Sequence, residues 1–152
     1  MAGPRLEHVF TAFVTVGPPL DAGTIAAGRR RIIPITGGRV EGPRLTGEVL
    51  PGGADWQVIL PDGTAHLVAR YTVRAADGTL ISVVNRGVRT GPPTVLARLA
   101  AGERVDPAEY YFRASPSFEV AFGPHDWLLH KVFVATGERA ADHVIIQVFT
   151  VT

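Results

Sequence analysis

The sequence predicts a mainly β protein with a single domain, built as an antiparallel barrel or a sandwich. Apolar residues alternate with period two through most of the chain, as they do in strands with one buried face. Two Asp-Gly pairs separate apolar runs, and Asp-Gly is the strongest local signal for a β-hairpin. A length of 152 residues suits one core, and no linker or repeat divides the chain, so we predict one domain over residues 1–152.

The strand pattern occurs in segments separated by turn residues, and two further segments have helical signals. A helix is predicted over 93–102, where proline lies near the start and glycine at the end. One helical turn is predicted over 106–109, where Asp106 can cap and Glu109 stands three residues later. The predicted strands are 6–16, 54–60, 64–74, 79–88, 110–114, 118–122, 127–135 and 143–151.

Residues 35–57 contain six glycines and two prolines, which raises the question of a phosphate-binding loop. A P-loop ends in Gly-Lys-Ser/Thr, but Lys131 is the single lysine of the chain and lies far from this segment. The glycine spacing also differs from Gly-x-Gly-x-x-Gly, and a strand follows it instead of a helix. We therefore interpret these glycines as structural, placed where strands of a small barrel bend sharply.

Charge and composition exclude several classes of function. The chain has 15 basic and 14 acidic residues, so we expect neither nucleic acid nor a membrane surface as a partner. It has no cysteine, which excludes disulfides and thiolate sites, and its five histidines show no spacing typical of a metal site. We expect no cofactor and no metal. With no signal peptide pattern and no apolar run of about 20 residues, a cytoplasmic protein is expected.

A row of polar residues is predicted across three strands. If 62–63 and 77–78 are both two-residue hairpin loops, Asp55, Arg70 and Asn85 lie side by side on one face. That face could be the solvent side, where an ion pair contributes roughly 0–1 kcal/mol. It could also line the barrel interior, where an arginine held by an aspartate would bind a carboxylate, enolate or phenolate. The pattern does not decide between the two.

A second group of polar and aromatic residues lies in the C-terminal third. Tyr111 and Arg113 share one parity of a strand, and a turn is predicted at 115–116 before Glu119. Glu119 could be an acid or base in an apolar cavity, although an ion pair with Arg113 is the simpler interpretation. His130 alternates with Leu129 and Lys131, and such a histidine is more often structural than catalytic.

The segments "GRRRIIPITGGRVEGPRLTGEVLPGGADW", "ARYTVRAADGTLISVVNRG", "DPAEYYFRASPSFEV" and "WLLHKVFVATGER" resemble the bacterial and fungal family called domain of unknown function 3237. The resemblance covers nearly the whole chain. It implies a single antiparallel β-barrel, lipocalin-like or AttH-like, with about 8–10 strands around a cavity and one or two short helices. The family's name supplies no activity.

Two functions remain open for such a cavity. The first is a cofactor-independent isomerase, cyclase or lyase acting on a small, partly apolar carbonyl compound. The second is a non-catalytic carrier or sensor of a small ligand. A homo-oligomer, most simply a dimer, is also expected, since the apolar run 143–152 could pair at an open edge. The predicted catalytic residues are Arg70, Glu119, Asp55 and His130, and the predicted substrate-binding residues are Trp56, Asn85, Tyr111, Arg113 and Trp127.

Overall fold

A computed structural model of the chain describes residues 2–152 and shows a closed antiparallel β-barrel with eight strand positions. The predicted barrel is confirmed, and the sandwich alternative is excluded. Two one-turn 3₁₀ helices, Pro107–Glu109 and Asp126–Leu129, accompany the longer elements. The strands and the helix are β1 Leu6–Val16, β2 Leu20–Ile25, β3 Gly28–Glu41, β4 Gly47–Val49, β5 Gly53–Ile59, β6 Ala65–Ala75, β7 Leu80–Thr90, α1 Pro93–Ala100, β8 Tyr111–Val120, β9 Phe133–Arg139 and β10 His143–Val151.

The long strand β3 closes the barrel because each of its edges pairs with two shorter strands. One edge pairs first with β2 and then with β1, and the other pairs first with β5 and then with β4. Each of these couples lies end to end and fills one strand position. From β1 the ladder continues through β10, β9, β8, β7 and β6 to β4 and β5, so ten strands make eight positions.

The interpretation of the glycines in 35–57 as structural agrees with their surroundings. A Cβ atom at Gly47 or Gly53 would collide with backbone atoms of β6. At such positions only glycine lets a bent strand approach its neighbour this closely. The segment forms the end of β3, all of β4 and the start of β5. Strand β5 agrees with the strand predicted over 54–60, whereas β3 and β4 were not predicted as strands.

Two predicted boundaries in the C-terminal third are wrong. The turn predicted at 115–116 does not exist, because β8 runs unbroken from Tyr111 to Val120. Pro116 is tolerated there because β8 pairs with β9 only at Arg113 and Ala114, so its later part has an unpaired edge. The strand predicted over 127–135 instead begins with the 3₁₀ turn Asp126–Leu129 and continues as β9.

Both helical predictions are confirmed. Helix α1 begins at Pro93 within the predicted range, and its Val95 and Leu99 are buried. The turn Pro107–Glu109 is capped by Asp106, whose carboxylate accepts a hydrogen bond from the Ala108 N–H at 2.9 Å. Among residues 2–152, no helix combines the length and apolar character that a membrane span requires.

One end of the barrel is filled by an aromatic plug, Phe10, Phe118, Phe133 and Trp127. The Phe10–Phe118, Phe118–Phe133 and Trp127–Phe133 ring centroids are 6.0, 5.1 and 5.9 Å apart, with edge-to-face geometry. The Arg44 guanidinium covers the Trp127 ring at 3.9 Å. The plug closes this end, so space for a ligand is confined to the opposite half of the barrel.

Closure of the barrel removes the argument that led to a dimer. Strand β10 pairs with β1 on one edge and β9 on the other, so it is not an open edge. The homo-oligomer stays a prediction, without this support.

The register of β5, β6 and β7 differs by one residue from the predicted one. Both hairpin loops contain three residues instead of two, since Leu60 N–H bonds to Thr64 O and Ala75 N–H bonds to Thr79 O. Each loop ends in a glycine with positive φ, +88° at Gly63 and +91° at Gly78. This is the geometry of a three-residue loop in which the last residue is left-handed.

The one-residue change breaks the predicted row of polar residues. Ala69, not Arg70, lies between Asp55 and Asn85. Arg70 instead pairs with Ala54 and Val84, and its side chain is on the exposed outer face. Of the two directions left open by the sequence, Asp55 on β5 and Asn85 on β7 face the interior, whereas Arg70 on β6 faces solvent. A shift of one residue turns every side chain of a strand to the other face, so these three residues cannot share one face.

We predict that replacing Gly78 with alanine lowers the free energy of unfolding by about 1–2 kcal/mol, the ordinary cost of a left-handed non-glycine residue. No atom lies within 4 Å of a Cβ at this position, so the effect would come from φ alone. Gly3→Ala is the matched control, because Gly3 is exposed, has open space and lacks a positive φ. Equal stability of the two variants in urea unfolding would contradict the proposed role of the loop.

Candidate functional site

A cavity of about 340 Å³ fills the half of the barrel opposite the plug. Its mouth lies between the Gly17–Pro19 segment and the loop that joins β9 to β10. A volume near 300 Å³ or above, with mostly apolar walls and a few polar groups, is typical of small-molecule sites. The apolar wall includes Val14, Ile33, Ile35, Leu67, Tyr71, Phe112 and Ile146. The inward polar groups on the strands are Asp55, Gln57, Asn85, Arg89 and Arg139, and Asp142 of the β9–β10 loop also lines the cavity.

Period-two spacing within the strands brings the polar groups together. Asp55 and Gln57 are two residues apart on β5, and Asn85 and Arg89 are four apart on β7, so each couple projects from one face. Arg139 is the last residue of β9. The five side chains therefore meet at one end of the cavity, although they come from three strands.

Asp55 is the carboxyl group of this cluster. Its Oδ2 accepts a hydrogen bond from Gln57 Nε2 at 2.9 Å, while its Oδ1 is buried without a partner among the described residues. Burial raises the pKa of Asp55, and this effect outweighs the Gln57 hydrogen bond and the attraction of Arg89 and Arg139, which lower it. A carboxyl group with a raised pKa can donate and accept a proton near neutral pH.

Arg89 is the most deeply buried charge of the site, with 6% of its surface exposed. Its guanidinium lies 5.7 Å from the centre of the Phe112 ring. Burial and the neighbouring Arg139 lower the pKa of Arg89 to about 10, so the group is still protonated at neutral pH. Gly137 leaves the space that the Phe112 ring occupies, since a Cβ there would lie 2.6 Å from the ring atoms.

Among residues 2–152, the arginines of the site form no salt bridge with a carboxylate. Within residues 2–152, no carboxylate oxygen lies within 4.0 Å of the guanidinium of Arg89, Arg139 or the neighbouring Arg31. Burial of charge without compensation is unfavourable, so the site favours an anionic ligand. Burial also lowers the pKa of Arg139, whose backbone N–H donates to the Tyr110 hydroxyl at 3.0 Å.

Two amide oxygens add a need for hydrogen-bond donors. Gln57 Oε1 and Asn85 Oδ1 are both buried, and neither accepts a hydrogen bond from the residues that the structure describes. A ligand hydroxyl could satisfy them. Across residues 2–152, no group of three or more histidine, aspartate or glutamate side chains is arranged to hold a metal ion.

The structure brings two of the predicted site residues, Asp55 and Asn85, into the cavity. Trp127 is in the aromatic plug at the opposite end of the barrel. The other predicted residues lie on the outer surface. These are Arg70, Glu119, Tyr111, Arg113 and the 36%-exposed Trp56 on outward positions of strands, and His130 in an exposed loop.

The ion pair expected between Arg113 and Glu119 is absent from the described part of the chain. Arg113 instead donates to the Phe112 carbonyl oxygen at 2.9 Å, and its guanidinium lies 5.6 Å from the Tyr111 ring centre. Both Arg113 and Glu119 have the outward parity of β8. Neither residue contacts the cavity.

Sequence reasoning missed Arg89 and Arg139 as site residues. The signal for Arg89 was present, because it has the same parity as Asn85 in β7 and therefore shares its face. For Arg139 no local signal exists, since its place at the site depends on how β9 meets the rest of the barrel. Gln57 lies two residues from Asp55 on β5 and shares its face, but it was not predicted as a site residue.

The family model for proteins of unknown function DUF3237 matches residues 4–151. The chain belongs to this family. The UPF0311 protein RPA1785 of Rhodopseudomonas palustris is 44% identical over 150 residues, which cover 97% of this chain and 98% of that protein. Its crystal structure matches this chain with a TM-score of 0.95 at 41% identity and covers 100% of this chain and 99% of that one.

Two further relatives extend this comparison. A β-barrel-like protein of Acinetobacter baumannii matches with a TM-score of 0.87 and 38% identity, covering 100% of this chain and 98% of its own. The hydroalkoxylation enzyme phnH of Penicillium herquei is 34% identical over 80 residues, which are 53% of each chain. A Penicillium herquei enzyme structure, with a TM-score of 0.74 and 21% identity over 100% and 97% of the chains, shares the fold. One distant homologue of this chain is therefore an enzyme.

We predict that Asp55→Asn stabilises the protein at neutral pH relative to the unsubstituted chain. Because the pKa of Asp55 is raised on folding, its favourable contribution is complete below the ordinary value of 3.8. It is lost as pH rises through the folded pKa. The free energy of unfolding of Asp55→Asn should therefore exceed that of the unsubstituted chain by an amount that grows above pH 3.8 and then levels off. Urea unfolding at a series of pH values measures this difference.

Glu119→Gln is the matched control, since it removes a carboxylate from an exposed position of β8. The prediction would be contradicted if Asp55→Asn were less stable than the unsubstituted chain at neutral pH, and increasingly so as pH rises. In that case Asp55 would be ionised in the folded protein, and its attraction to the arginines would stabilise the fold.

Proposed function

We propose that this protein is a cofactor-independent enzyme that moves a proton on a small, partly apolar, anionic carbonyl or phenolic compound bound inside the barrel. The observation that carries the proposal is the placement of one carboxyl group with a raised pKa beside an unpaired, buried arginine in an apolar cavity. These are the groups that general acid–base catalysis with charge stabilisation requires.

Each polar group has a separate part in this proposal. Arg89 and Arg139 stabilise negative charge on a substrate oxygen, as an enolate or phenolate forms or is consumed. Asp55 carries the proton. Gln57 holds the Asp55 carboxyl by its hydrogen bond of 2.9 Å, and its free Oε1, with Asn85 Oδ1, accepts from substrate hydroxyl groups.

The name of the distant relative from Penicillium herquei suggests one reaction of this kind, the addition of a hydroxyl group across a carbon–carbon double bond. Protonated Asp55 would give its proton to one alkene carbon while the substrate oxygen bonds to the other. The hydroxyl proton would return to Asp55. Substrate and product are isomers, so the reaction needs no cofactor.

A carrier or sensor is the second candidate. Among the described residues, the cluster around Asp55 contains one carboxyl and no histidine. The other carboxyl that lines the cavity, Asp142, has a side chain that is 83% exposed and is hydrogen-bonded to His143 Nδ1 at 2.8 Å, so it is not a buried partner for Asp55 in proton transfer. The same arginines would then anchor an anionic headgroup without turnover.

The substitution Asp55→Asn distinguishes the enzyme from the carrier. We expect it to lower turnover of olefinic phenols or aryl ketones by about 10²–10⁴-fold, since the proton donor is lost. Ligand affinity should change by less than about threefold, since the amide keeps the shape of the carboxyl. Turnover is read in D₂O as deuterium at carbon by mass spectrometry, and affinity by isothermal titration calorimetry. If neither the unsubstituted protein nor Asp55→Asn produces deuterated product while both bind ligand, the protein is a carrier.

Glu119→Gln tests the assignment made from sequence alone. Because Glu119 lies on the outer wall, this variant should keep the turnover of the unsubstituted chain. Loss of turnover would show that the cavity around Asp55 is not the site of proton transfer.

Arg89→Gln is expected to weaken binding of benzoate by at least about tenfold, because a buried charged hydrogen bond contributes about 1.5–3 kcal/mol. Arg86→Gln is the matched control on the same strand. Arg86 faces outward and is exposed, whereas Arg89 faces the cavity. Equal affinities of the two variants in calorimetric titration would refute the anion site.

A further inference from the structure

A second cavity of about 320 Å³ lies beneath helix α1. One side is formed by the β5–β6 turn, Pro61 to Gly63, and another by Leu96, Ala97 and Ala100 of α1. Arg31 also lines it. The function proposed above makes no use of this space.

Arg89 and Arg139 line both cavities, so they form the boundary between them. Arg31 pairs with Gln57 in the β3–β5 ladder, which brings a third guanidinium to the same end of the barrel. Burial is the main cause that lowers the pKa of Arg89, and repulsion from Arg139 and Arg31 lowers it further. An anion bound at this boundary would reduce the repulsion among the three guanidinium groups.

The negative charge available in the protein is too small to balance this cluster. Asp62, the acidic residue of the second cavity, accepts a hydrogen bond from the Thr64 N–H at 2.9 Å within the turn, and it makes no ion pair among the described residues. Asp55 is the one carboxyl that faces Arg89 from the barrel side. Three guanidinium groups against the two carboxyls Asp55 and Asp62 leave a net positive charge for a ligand to neutralise.

We propose that the cavity beneath α1 is a carboxylate subsite, and that the protein binds dicarboxylates whose apolar middle lies in the barrel and whose second carboxylate reaches Arg31. This deepens the proposed function, on which it rests for the position of the reacting part. The carboxylate is chosen because a planar guanidinium donates two parallel hydrogen bonds to it. Arg31 is then a specificity-determining residue that does not touch the reacting atoms.

The test compares straight-chain dicarboxylates of six to ten carbons with monocarboxylates of the same length, by isothermal titration calorimetry at low ionic strength. Because these dicarboxylates are flexible and differ in length, the series covers a range of distances between the two carboxylates. At the best length we expect the dicarboxylate to bind the unsubstituted chain at least tenfold more tightly. Equal or tighter binding of the monocarboxylate at every length would overturn the proposal.

Two variants locate the second carboxylate. Arg31→Gln removes the charge that belongs to the second cavity alone, and Ala97→Phe fills that cavity without a change of charge. Each should reduce the preference for the dicarboxylate to less than threefold and leave monocarboxylate affinity within twofold. Arg86→Gln, on the outer face, should keep the full preference. If both Arg31→Gln and Ala97→Phe retain it, the second carboxylate lies elsewhere.

Failure of this subsite and failure of the proposed function give different results. The dicarboxylate preference is a binding measurement that does not require turnover. If it disappears in Arg31→Gln while Asp55→Asn keeps full turnover, the subsite stands and the catalytic role of Asp55 falls. If Asp55→Asn abolishes turnover and no dicarboxylate preference exists, the enzyme stands without the subsite. Circular dichroism verifies that each variant is folded.

Discussion

The site depends on two left-handed glycines, Gly63 and Gly78, which end the three-residue loops on either side of β6. Each loop carries an aspartate whose carboxylate accepts the N–H two residues later, at 2.9 Å for Asp62 and 3.0 Å for Asp77. Together they fix the register of three neighbouring strands. Because side chains alternate between faces, this register decides that β6 offers the cavity Leu67, Ala69 and Tyr71 and directs its arginines to solvent.

The small side chain of Ala69 on β6 affects the electrostatics of the site. Ala69 lies between Asp55 and Asn85, so no charged group fills the middle of the polar row. Asp55 therefore lacks a close cation, and burial rather than an ion pair governs its pKa. Arg89, four residues along β7 from Asn85, supplies the positive charge at the far end of the cluster without meeting the carboxylate within 4.0 Å. A carboxyl and a guanidinium held apart in this way can act on a ligand that lies between them.

The two halves of the barrel have different chemistry for a physical reason. Aromatic rings fill one half with edge-to-face contacts, which stabilise the fold through burial. The other half keeps unpaired polar atoms, which cost stability unless a ligand satisfies them. Functional sites are commonly less stable than they could be, and the unpaired polar atoms of the cavity around Asp55 agree with the function proposed for it.

The sequence by itself determined the barrel class, the strands Leu6–Val16 and His143–Val151, the helix beginning at Pro93 and the structural use of Gly47 and Gly53. These follow from local periodicity and turn chemistry. Asp55 and Asn85 were also identified, because parity within one strand is a local property. Arg89 could also have been found from its parity with Asn85 in β7. Only the tertiary structure decided that Arg139 completes the site while Arg70 and Glu119 remain outside. That choice depends on a register of one residue across hairpins and on barrel closure, and both arise from pairing between distant segments, which no local pattern encodes.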